Sequence, residues 1–414
     1  MKKFFYSFVA LCAAISFTAC SSDDDNETSA DKSYGRAAVS SCATLGDELT
    51  SAYSVIGKSS LTSEQETYIK GIFANLVDNV IVPTYTSLAD NTEDLEKTLN
   101  GLSTSTITQT QINKACEDFA KAREQWELSE AFLGGAASDF SIDPTIDSWP
   151  LSRSNLLNYF NGSLKLEDAD ESILGFHALE FVLFRDGSPR KVDEFQTNDT
   201  YTGFTSITGA QELKYAQDVC KLLKERTFEL QVAWEGETSA NADRVAVVKA
   251  AGLNYKTKKG YSFGDNLKNA GDENVSTFST VKAAVEQLLS AEEGSAFGIT
   301  NEVGTAKIGH PFTEGVISYV ESPYSYRSIT DFQDNIRSVR NVWYGTTTGS
   351  ADSKVNSFYN FFASLSASTN TAVVNGFNNA ISAIGSMPSP FVKYCCDIWG
   401  KTFSTEEYEG EDEE

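Results

Sequence analysis

The sequence predicts an all-α protein, most simply two helical bundles in succession. Apolar residues recur at i, i+3 and i+4 in one segment after another, and the long alternating runs that mark strands are absent. At 414 residues, 41% hydrophobic and 12% aromatic, the chain can build sizeable cores, which excludes wholesale disorder. The spacing predicts a first helix over 64–82: Tyr68, Ile72, Leu76 and Val80 form one strip, Ile69, Phe73 and Val77 an adjoining one, and Glu66, Lys70 and Asp78 fall between them. Pro83 then kinks or restarts the helix, because it has no N–H to donate. A second helix covers 108–132, with Ile112, Ala115, Phe119, Ala122 and Trp126 on its inner face and Gly134-Gly135 ending it. A third runs over 172–184. A fourth, over 211–234, carries Leu213, Ala216, Val219, Cys220, Leu223, Phe228 and Leu230. Further helical spacing occupies 279–291, 329–344 and 370–381. The Gly-, Asn- and Lys-rich stretch 252–274 is a poor helix former and too long for a routine turn, so it reads as a functional loop or a boundary region. With the division near Ala240, the N-terminal bundle spans 41–240 and the C-terminal one 241–403.

The first twenty residues read as an address. Lys2 and Lys3 precede an apolar run over 4–17, and small residues lead to Cys20. The run is too short to span a bilayer comfortably. Phe17-Thr18-Ala19-Cys20 resembles a bacterial lipobox, which implies cleavage after residue 19 and acyl chains on Cys20. That resemblance places the protein in the cell envelope, lipid-anchored at the outer membrane on its periplasmic face or at the cell surface, with Cys20 the membrane attachment. Residues 20–40 read as a solvated acidic tether. Asp23, Asp24 and Asp25 within it resemble a surface-export signal and equally suit a plain spacer. Residues 404–414 form an acidic tail expected to be disordered.

Lys and Arg number 33 against 58 Asp and Glu, and the resulting charge of −25 opposes binding to phosphate backbones, so no nucleic acid partner is expected. Past Cys20 the cysteines are Cys42, Cys116, Cys220, Cys395 and Cys396, with no CxxC spacing among them; at most two disulfides could form. The chain has two histidines, His177 and His310. A site of three imidazoles cannot be built within one copy, and neither HExxH nor its inverted form is present.

The chemistry gathers at Gly175-Phe176-His177-Ala178-Leu179-Glu180. His177 and Glu180 lie three apart on a helix, so both project from one face. A divalent metal can take one imidazole nitrogen and one carboxylate from such a pair and leave positions for other segments. Gly175, with no Cβ, lets another backbone or a ligand approach the same turn. The surrounding residues are apolar on nearly all sides, so the pair is expected to be buried and to need partners. By itself HxxE also suits a hydrogen-bonded pair tying a core helix to its neighbours.

In its context the GxHxxE form resembles the imelysin family of insulin-cleaving membrane proteases and iron-regulated envelope proteins. Val82-Pro83-Thr84-Tyr85 is similar to that family's VPxY helix. Trp126, Glu130, Phe132 and Gly135 resemble its WxxxExFxxG helix end, and Asp147-Ser148-Trp149-Pro150 its WP loop. Glu321-Ser322-Pro323-Tyr324-Ser325, with Asp331 and Asn335 beyond it, resembles an ESxYS…DFxxNI segment. One departure is Leu133-Gly134-Gly135-Ala136, where the family carries a bulky residue and Gly-Pro. The resemblance implies two helical-bundle domains with the GxHxxE site near their junction. On this reading His177 and Glu180, with Glu130 as a third ligand, hold a divalent or ferric metal ion, iron being the expected one, or a small metal-bearing ligand. Gly175, Trp126, Trp149, Glu321, Tyr324, Ser325 and Asn335 line the site. A role in iron uptake follows. A metal-dependent peptidase and a scaffold for an outer-membrane transport partner are the alternatives. His310, before Pro311, reads as a loop residue.

Overall fold

A computed structural model describes residues 30–404, Ser59 excepted. The leader, Cys20 and the acidic tail after residue 404 lie outside the described residues. The fold is all-α; the strands are a two-residue hairpin, Phe184–Arg185 against Ser188–Pro189. Among the described residues no helix is long and apolar enough to cross a membrane.

Three helices begin with the same device. Thr62, Thr108 and Thr208 each accept a hydrogen bond from the backbone N–H of a Gln three residues on, and that Gln side chain accepts from the threonine's own N–H. These capping boxes satisfy donors that a helix start leaves free, and they open Ser63–Leu76, Gln109–Glu127 and Gly209–Glu235. Pro83 does not break its helix. A π turn, Val77–Ile81, joins Ser63–Leu76 to Val82–Asn100 and takes up the irregularity next to the proline. The second expected helix stops at Glu127, a turn earlier than its apolar spacing suggests, and a 3-10 turn, Glu130–Phe132, carries the chain to Gly135, whose φ of +124° suits glycine. The stretch 252–274 contains a short helix, Phe263–Lys268, packed on Gly209–Glu235.

Val82–Asn100 packs between Gln109–Glu127 and Gly209–Glu235, and Gly175–Leu183 lies against the latter two. A second group forms around Ser33–Gly57, which packs most extensively on Ala367–Gly385 and also meets Ala296–Glu302 and Val281–Leu289. Grouping in space therefore does not follow the division near Ala240. Residues 33–40, expected in the tether, are the first turns of Ser33–Gly57, whose buried face of Ala38, Cys42, Leu45, Leu49 and Ala52 is completed by helices from the far end of the sequence. Tyr394 fastens the two ends: its hydroxyl accepts from Gly35 N–H at 3.2 Å and donates to the Asp31 carbonyl at 2.7 Å. One apolar core runs through both groups. Cys42, Cys116, Cys220, Cys395 and Cys396 are buried free thiols, and burial pushes the Cys42 and Cys116 thiols up to about 12.

Candidate metal centre

Gln109–Glu127 and Gly175–Leu183 lie side by side and present Arg123, Trp126 and Glu127 from one, His177 and Glu180 from the other. The short helix Ile142–Asp147 adds Asp147, and the segment leading into Ser328–Tyr344 adds Glu321 and Ser325. Gly175 makes the junction: its φ is +74°, and a Cβ there would sit 2.2 Å from the Ile146 carbonyl oxygen. It is a backbone, not a ligand, that uses the space, and the approach sets Asp147 beside His177.

Glu180 is an anchor. Its Oε1 accepts from Tyr324 N–H at 3.0 Å, from Ser325 N–H at 2.7 Å and from Ser325 Oγ at 2.7 Å. Its Oε2 lies 3.3 Å from His177 Nδ1. With Nδ1 turned towards Glu180, Nε2 lies on the opposite side of the ring. There Nε2 meets Asp147 Oδ1 at 3.2 Å and Glu321 Oε1 at 3.8 Å, yet it has no hydrogen-bond partner. Among the described residues these are the His, Cys, Asp and Glu side chains whose ligand atoms converge closely enough for one ion, all within 4.8 Å of one another. An N,O donor set with one imidazole and two carboxylates suits iron, manganese or zinc.

Buried cations already balance part of the charge. The Arg123 guanidinium bonds both Asp147 and Glu321, pairs with Glu127 at 2.5 Å and lies 3.8 Å from Asp331. The Lys307 ammonium is 3.2 Å from Glu321. Burial alone would raise the Glu321 carboxyl, but Lys307, Arg123 and His177 hold it below its ordinary value. For Glu127, burial outweighs Arg123 and Lys307, with Glu321 and Asp331 adding to the rise, and pushes it up to about 8.

The residues expected from sequence divide accordingly. His177, Glu180, Glu321, Tyr324 and Ser325 come together. Trp126 donates from Nε1 to Asp147 Oδ2 at 2.6 Å, and Asn335 donates to Glu127, so both support the site without facing His177. The Trp149 ring lies 6.4 Å from the His177 ring, and with Pro150, Leu151, Val320, Pro323 and Tyr324 these two enclose a cavity of about 10 Å³. Glu130 does not join the converging ligands. It sits a turn away, buried, with Lys307, Glu127, Glu302 and Asp143 as its charged neighbours. His310 is in a π turn, not a loop, and pairs with Glu314 at 2.9 Å. Asp147, Arg123 and Lys307 were not picked out from sequence as site residues; Asp147 stood in the WP-loop motif, and the other two had no signal beyond a cation on an otherwise apolar strip.

Burial drives the Glu130 carboxyl well above its ordinary 4.5, with Glu127 and Glu302 adding to the rise and Lys307 opposing it. The folded protein thus keeps a proton that the unfolded chain releases near 4.5. The stability from Glu130 is complete below that pH and is lost as pH rises towards its folded value. Glu130→Gln is expected to flatten this part of the stability decline, measured by urea unfolding between pH 5 and 8; an unchanged slope would show that Glu130 is ionised in the fold.

With this geometry in place, comparison with known proteins becomes informative. The imelysin (peptidase M75) family model matches residues 81–406. The chain belongs to the imelysin family. This imelysin is similar to iron-regulated protein A of Synechococcus elongatus, 26% identical over 65% of this chain, and the match spans 62% of that relative's length. A crystal structure from Parabacteroides distasonis that carries the name of an iron-regulated protein A precursor aligns with a TM-score of 0.61 and 26% identity, covering 82% of this chain and 94% of that one. The all-helical architecture and the family are thus as the GxHxxE, WP and ESxYS motifs implied.

Proposed function

We propose that this imelysin is an iron-related protein of the cell envelope, anchored through Cys20, that binds one metal ion between His177 Nε2, Asp147 and Glu321. The observation that carries the reading is that the buried His177 Nε2, which has no hydrogen-bond partner, converges with carboxylate oxygens of Asp147 and Glu321, all within 4.8 Å of one another, a donor set that one cation can bridge. The names of both relatives support iron as the ion. Glu180 acts as an orienting group, fixing the tautomer and the ring plane as carboxylates commonly do behind a metal-bound histidine. Chelator-stripped protein titrated anaerobically with Fe(II) is expected to take up one ion per chain, and Glu180→Gln to weaken that uptake by about 10- to 100-fold. Absence of stoichiometric uptake by the parent protein overturns the reading.

A further inference from the structure

Lys307 has a position that its role as a counter-charge does not explain. Its ammonium is 3.2 Å from both oxygens of the fully buried Glu321, 3.9 Å from Glu302, whose side chain is 41% exposed, and 5.0 Å from the centre of the Trp149 ring. It therefore stands between an inner carboxylate that belongs to the metal set and an outer one that reaches solvent. Backbone geometry creates this choice. Glu302 and Lys307 are five residues apart, which in an α-helix sets them on different faces, but the turn Val303–Lys307 is a π turn, closed by Ile308 N–H donating to the Val303 carbonyl at 3.0 Å. Its wider winding brings the two side chains together, and π turns of this kind are frequent at functional sites.

We propose that Lys307 is a tethered stand-in for the metal: in the empty site it neutralises Glu321, and when an ion arrives it swings outward to Glu302 and surrenders Glu321 to the ion. The inference rests on the metal reading above. An ammonium that stayed beside Glu321, which the Arg123 guanidinium already bonds, would put a second cation against the incoming one in a buried setting, where like charges strongly repel. Glu302 supplies the nearby place to which that charge withdraws.

The test is calorimetric titration of Mn(II), an air-stable probe, into chelator-stripped full chain and three variants. Lys307→Met, which keeps the length and removes the charge, is expected to bind at least about tenfold more tightly than the parent. Glu302→Gln removes the outer negative charge and is expected to bind about tenfold more weakly. The decisive arm is the double variant, in which Glu302→Gln should have no effect once Lys307 is Met, because its contribution runs entirely through the lysine. Equal losses from Glu302→Gln in both backgrounds, or Lys307→Met binding no tighter than the parent, overturn the proposal while leaving the metal site standing. If neither the parent nor Lys307→Met binds Mn(II) or Fe(II), the metal site and the proposal fall together. Glu302 is half-exposed and its substitution leaves the core intact, so unchanged affinity in Glu302→Gln alone also refutes the exchange, even if Lys307→Met fails to fold.

Discussion

His177→Ala is expected to abolish metal uptake, lowering affinity by more than about 100-fold, beyond the 10- to 100-fold typical of changes behind the ligands. The imidazole is the one nitrogen donor of the converging set, and without it Asp147 and Glu321 keep Arg123 and Lys307 as their partners. The fold should survive. Glu180 loses one neighbour but keeps the donors from Tyr324 N–H, Ser325 N–H and Ser325 Oγ, so the turn that closes the site remains fastened. Titration with Fe(II) or Mn(II), alongside far-ultraviolet circular dichroism, measures both parts. Affinity within tenfold of the parent would remove His177 from the site.

Arg123→Met should do the reverse, damaging the fold more than the chemistry. The Arg123 side chain is 1% exposed, and Asp147, Glu321, Glu127 and Asp331 all lie around its guanidinium. Despite burial, which favours the neutral form, Glu127, Glu321 and Asp331 bind its proton more tightly than usual. Removing one partner from a buried charged network costs about 3–5 kcal/mol, because the remaining charges stay out of water without compensation. Urea unfolding at pH 7 should show a loss of that size, and part of it should return at lower pH as the stranded carboxylates take up protons. A loss below about 1 kcal/mol would mean that Lys307 and Arg327 balance the cluster by themselves. Lys in place of Arg123 is not a conservative change here, since one ammonium cannot span carboxylates that come from separate segments.

Much of the architecture was legible in the sequence, for a plain physical reason. Helices that bury one face need an apolar residue every three or four positions, and that spacing placed 108–132, 211–234 and 329–344 within a few residues of the observed Gln109–Glu127, Gly209–Glu235 and Ser328–Tyr344. The early end at Glu127 was hidden because Phe132 and Leu133 continue the apolar run in a different backbone conformation. Ser33–Gly57 was missed because its buried face is built largely of Ala, Cys and Gly, a weak contrast next to the acidic stretch that precedes it. In the site, His177 and Glu180 were visible as polar residues stranded on an apolar helix. Asp147 and Arg123 were harder: they are ordinary charges in sequence, and their significance lies in meeting residues from distant segments. Glu130 illustrates the converse. A carboxylate in the right motif was expected to share the ion with His177, but the chain leaves α-helical geometry just before it and turns it towards Lys307, Glu127 and Glu302.

The clasp between the beginning and end of the described chain has a kinetic consequence. Ser33–Gly57 is synthesised long before Ala367–Gly385, its main packing partner, and Tyr394, which holds its start. Contacts so remote along the polymer form slowly, and no growing chain can close them before its final segment is released. The apolar stripe of Ser33–Gly57 therefore waits, uncovered by its main partner, until Ala367–Gly385 has been made.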